Sequence, residues 1–224
     1  MRRILLIVAF VSVFSWVFAQ SKEAVSHDSS KSSSKEKKEY DVISSLGPED
    51  VDLIIDLTYS DNYDIAQRAV YRLGQIKSKK AFDRLISIFL FSGYSVEKGF
   101  DEVILASIWS LGELGDKRAI DPLIDNYDRF KSVSYKVQII RAIGKLGKGS
   151  EKAFVFLDRV IKSTDNNMIA FEVVKSLENI GKVESIKTLS EVLKSGRFEK
   201  WVNREIERVI SNLGSSNVGD KEKK

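Results

Sequence analysis

Acid–base, nucleophilic and metal chemistry falls to a short set of side chains, and this sequence is poor in them. It has no cysteine and one histidine, His27, set in a Ser/Lys-rich stretch with little to bury. Cysteine nucleophiles are excluded, and a folded part that leaves this stretch out has no histidine base or ligand. Carboxylates do pair up: Asp50 with Asp52, and Asp121 with Asp125 at i, i+4 spacing. One such pair on an exposed helix reads as a solvated face before it reads as an acid–base couple. The string from Gly144 to Ser150, with Gly147, Lys148 and Gly149, lacks the GxxxxGK[ST] spacing of a phosphate cradle and follows a helical pattern, not a strand. It reads as a turn. The expectation is a protein that is not an enzyme, with no catalytic residue, no metal ligand set and no cofactor.

The elements that carry these residues divide the chain. Arg2 and Arg3 precede an apolar run from Ile4 to Phe18 broken only by Ser12 and Ser15, and Val17-Phe18-Ala19 puts small residues at the −3 and −1 sites. This is a secretory signal pattern over residues 1–19, with the mature chain beginning near Gln20. The alternative is an uncleaved anchor helix, since a short apolar run still spans when its flanks snorkel. Without cysteine there is no lipoprotein acylation site and no disulfide. Residues 20–39, rich in Ser and Lys, read as a disordered spacer, and 215–224 as a disordered basic tail. The net charge is +4, yet residues 40–214 hold 26 Lys and Arg against 26 Asp and Glu. The basic surplus lies in the termini, so the composition argues against a nucleic-acid partner.

From Tyr40 the apolar positions recur at three and four, which is helix periodicity. A Leu/Ile-Gly signal closes successive helices: Leu46-Gly47, Leu73-Gly74, Leu111-Gly112 with Leu114-Gly115, Ile143-Gly144 with Leu146-Gly147, Ile180-Gly181 and Leu213-Gly214. Closing positions at 47, 77, 115, 147, 181 and 214 give intervals of 30 to 38 residues. A second column follows each turn: Ala81-Phe82 with Leu85, Ala119-Ile120 with Leu123, Ala153-Phe154 with Leu157, and Ser185-Ile186 with Leu189. Two columns in phase predict about five two-helix repeats over 40–214, stacked as an all-α solenoid. Glycine inside a helix costs ~1 kcal/mol against alanine, so Gly74, Gly112 and Gly144 predict close approach of neighbouring helices.

The text from Ser110 to Leu123, SLGELGDKRAIDPL, resembles the turn between HEAT repeats, above all the short HEAT-like repeats of the phycobilisome lyases. The departures are Glu178, where the first glycine of the fourth copy would fall, and the first-repeat turn from Ile76 to Lys80, which lacks glycine and aspartate. The resemblance implies an α-solenoid whose relatives include scaffolds, adaptors, nucleic-acid binders and chromophore lyases. The functional expectation is an exported scaffold or adaptor that binds a protein or peptide along the face of the second helices. The alternatives are a nucleic-acid binder or an envelope protein that binds cell-wall polymer. Localisation is expected to be periplasmic or secreted, with a membrane contact only if the first apolar segment is retained.

Aligned second helices place Tyr71, Trp109, Arg141, Lys175 and Arg208 in one ladder, with Phe171 among the residues one turn earlier. The ladder is expected to be exposed, as aromatic and Arg residues in a binding face would be. Trp109 equally suits a gap between helices. A second candidate is the enlarged loop of repeat two, with Phe91, Tyr94 and Phe100.

Overall fold

The computed structural model describes residues 42–91 and 99–219, with side chains through 215. Residues 1–41, and Tyr94 with the rest of 92–98, lie outside the described residues. The described part is all-helical: after a short helical turn at 42–45 come five hairpins. They are α1 (Val51–Leu57) with α2 (Tyr63–Ile76), α3 (Phe82–Phe91) with α4 (Phe100–Leu114), and α5 (Ile120–Asn126) with α6 (Val133–Leu146). Then come α7 (Glu151–Ser163) with α8 (Asn167–Ile180), and α9 (Glu184–Lys194) with α10 (Lys200–Gly219). Each hairpin packs on itself, and α2, α4, α6, α8 and α10 stack in chain order. No helix among the described residues is long and apolar enough to cross a membrane.

Local chemistry starts and stops these helices. Asn62, Ser132, Ser150 and Asn166 cap α2, α6, α7 and α8, each accepting hydrogen bonds from backbone N–H groups of the first turn. Gly115 and Gly181 end α4 and α8 in the left-handed region, at φ 75° and 73°. Lys77 ends α2 at φ 57°, so the turn without glycine still adopts the conformation that glycine favours.

Buried leucines and isoleucines of the repeat column, Leu73, Leu111, Ile143 and Leu177, form one continuous core with Leu85, Leu123, Leu157 and Leu189 from the first helices. The glycine column has the cause the sequence suggests. A Cβ on Gly74 would stand 2.8 Å from Ser110 Cα, one on Gly112 3.0 Å from Ala142 Cα, and one on Gly144 2.9 Å from Ser176 Cα. These contacts are closer than side chains allow, so neighbouring second helices touch backbone to backbone. Ser110 and Ser176 use the proximity, donating their hydroxyls to Val70 O (2.8 Å) and Ile140 O (3.1 Å) across the seam.

Candidate functional site

The ladder of second-helix residues exists but is not a row of free side chains. Tyr71, Trp109, Arg141 and Phe171 are half-buried, and only Lys175 and Arg208 are exposed. Tyr71 meets Trp109 edge to face with ring centres 5.1 Å apart, bridging α2 and α4. Arg141 donates to both carboxylate oxygens of buried Glu172, at 2.9 and 2.7 Å, and to Gln138. Phe171 tilts against Trp201 at 5.2 Å, with the Lys175 ammonium 5.6 Å above its ring. Arg208 is forked between Glu205 and Glu178, and these hydrogen bonds hold both carboxyls below the ordinary range. The expected exposure is thus corrected for four of these six residues. Their outer atoms are turned sideways into the next repeat, where flat rings and bidentate pairs fill the space between helices.

A second cluster lies where α2, α4 and α6 begin. Phe91, exposed over 60% of its surface, meets Phe100 edge-on at 5.9 Å, and Phe100 meets Tyr63 at 5.6 Å. Gly99, at φ 104°, lets the chain pass beside Tyr63, since a Cβ there would lie 3.1 Å from its ring. Beside them, Tyr135 stacks on Phe130 at 4.7 Å, and Phe130 on Phe89 at 5.7 Å. The Tyr135 hydroxyl donates to Asp101 Oδ1 at 2.6 Å and to Asp101 O at 3.2 Å, tying α6 to α4. Burial and then this carboxylate raise the Tyr135 phenol well above its ordinary value, so it keeps its proton. With its one proton given to Asp101, the neutral phenol keeps its oxygen free to accept one directed hydrogen bond from a ligand N–H beside the stacked Phe130 ring.

Sequence reasoning found Phe91 and Phe100 and missed Tyr63, Phe130, Tyr135 and Asp101. Asp101 and Tyr135 stand 34 residues apart. Repeat register was the available signal, because they are the second residue of α4 and the third of α6. The carboxylate pairs do other work or none: Asp52 pairs with Lys80 and Asp121 with Lys152, both on exposed surface. Among the described residues, no group of three or more acidic or histidine side chains is placed to hold a metal ion.

Comparison with known proteins gives two findings. Residues 103–129 match the family model described as the PBS lyase HEAT-like repeat. Among solved structures, the chain is similar to the complex of CpcE and CpcF of phycocyanin lyase from Nostoc sp. PCC7120, at 18% identity and a TM-score of 0.60. That similarity covers 75% of this chain and 66% of that one, so the chain spans a little under two thirds of its neighbour's length. No curated protein matches by sequence. The expectation of a scaffold or adaptor that is not an enzyme, with its nucleic-acid and wall-polymer alternatives, is corrected by these findings: the solved neighbour is a lyase. The error came from asking for His or Cys inside the chain, when a lyase is found on this same architecture. Residues 103–129 thus match a HEAT-like repeat of the phycobilisome-lyase type, and three quarters of the chain share the helical-repeat fold of that solved neighbour.

Proposed function

We propose that this protein is a lyase-type enzyme subunit that works in complex with a second protein chain. The observation that carries the reading is the fold shared with phycocyanin lyase over 75% of the chain, a protein whose solved form is a complex of two chains. The substrate-facing part in this reading is the aromatic cluster at the start of α2, α4 and α6. In this reading Phe91, Phe100 and Tyr63 offer ring surface to a conjugated ligand of the bilin class. Tyr135, kept neutral and oriented by the proton it gives to Asp101, accepts the directed hydrogen bond of a ligand N–H on its oxygen.

The test is a titration of the full chain with a free bilin, followed by absorbance and induced circular dichroism. Binding by the wild-type chain with a roughly tenfold loss in Phe91→Ala and Tyr135→Phe, at unchanged helical content, supports the site. No spectral change with the wild-type chain removes the bilin reading. Equal binding by all three proteins moves the ligand elsewhere.

A further inference from the structure

We infer that the last hairpin, α9 with α10, opens as a unit while α2 to α8 stay closed, and that Glu178 is the clamp that holds it shut. Three seams between second helices are built alike: a glycine on one helix lies against a Ser or Ala on the next, with backbones in contact. The fourth seam, α8 against α10, is built differently. Glu178 stands in the glycine column, and its carboxylate reaches across to Arg208 at 2.9 and 2.7 Å and to Asn212 at 2.8 Å. Close backbone contact is replaced there by a charged side chain, with Glu205 sharing the guanidinium and Lys175 adding positive charge nearby. The contact is partly solvated, Glu178 keeping 26% and Arg208 45% of side-chain exposure, so salt reaches it.

An independent observation falls on the same hairpin. Among the described residues, the two buried side-chain atoms without a hydrogen-bond partner are Ser185 Oγ, in α9, and Asn203 Oδ1, in α10. Ser185 occupies the column that holds Ala81, Ala119 and Ala153 in the earlier repeats, so its hydroxyl is buried where the other copies bury a methyl group. A buried polar atom left unpaired weakens the unit that contains it. The last repeat thus combines a weakened interior with a seam that depends on charge, which is how a low-stability cooperative unit arises in a repeat stack.

Hydrogen exchange of the full chain, read by mass spectrometry, tests this. Peptides from α9 and α10 should exchange at least tenfold faster than those from α4 and α6, and also faster than those from α2 in the first hairpin. Glu178→Gln, or 0.5 M NaCl, should raise exchange in α9 and α10 a further threefold or more with α4 and α6 unmoved, and Ser185→Ala should slow it. Equal protection of α2 and α10 would reduce the effect to ordinary end fraying and overturn the proposal. So would acceleration of all helices together by Glu178→Gln, or no acceleration by it at all.

Discussion

Arg141 is the residue whose meaning changes most between sequence and structure. By its spacing it belongs to an outward ladder, and reversing its charge should then leave stability alone. In the fold it neutralises Glu172, whose side chain is only 8% exposed. Arg141→Glu would set two carboxylates against each other in a partly buried site, at a cost of about 2–3 kcal/mol, below the usual figure for a buried pair because Arg141 is 42% exposed. A drop of several degrees in Tm, seen by circular dichroism, is the expected outcome; an unchanged Tm would mean that the pair contributes nothing. Tyr127 gives a residue-scale pH effect. Burial, then the Asp128 charge, pushes its phenol from 10.0 to about 12. A raised folded value favours the protonated form, so this stability is complete below pH about 10 and is lost as pH rises through 12. Melting should weaken across that window, and Tyr127→Phe should flatten the loss.

At the scale of helices, most of the architecture was legible. Leucine and glycine columns in phase gave the hairpin pairs, and the internal glycines correctly signalled helices in backbone contact. Which ladder atoms reach solvent was not legible, because sideways packing such as Tyr71 on Trp109 depends on the offset between repeats, which a linear pattern does not contain. The Tyr135 to Asp101 contact was hidden for the same reason. Two substitutions test the turn and seam chemistry. Gly144→Ala gains ~1 kcal/mol of helix propensity but drives a Cβ to 2.6 Å from Ser176 Cβ, so a net loss of about 2 kcal/mol is expected on chemical denaturation. A stabilised variant would show that the helices can part cheaply. Lys77→Gly relieves a non-glycine residue at φ 57° and should raise stability by about 1 kcal/mol, measured the same way.

For the whole molecule, the reading at the start of the chain remains a proposal about processing. A mature form beginning near Gln20 is expected, and N-terminal sequencing of protein recovered from its native cell checks it; an intact Met1 would favour the anchor alternative. The ion pairs between repeats have a consequence of another kind. Lys80 reaches back to Asp52, Lys152 to Asp121, Arg159 to Asp128 and Lys182 to Glu151, the cation each time coming later in the chain than its acid. Lys145 to Glu113 and Arg208 to Glu178 keep the same order on the second helices, and Arg141 to Glu172 and Lys162 to Glu191 reverse it. Exposed pairs of this sort add little stability, but like charges brought face to face are penalised, so they favour one stacking sense over the other. Such an array has a grain. An extra copy of an internal repeat, inserted in tandem, meets complementary charge on both sides, whereas a unit joined in the opposite sense meets its own sign. Lengthening by duplication is therefore open to this fold, and end-to-end growth in the wrong polarity is discouraged by the same few side chains.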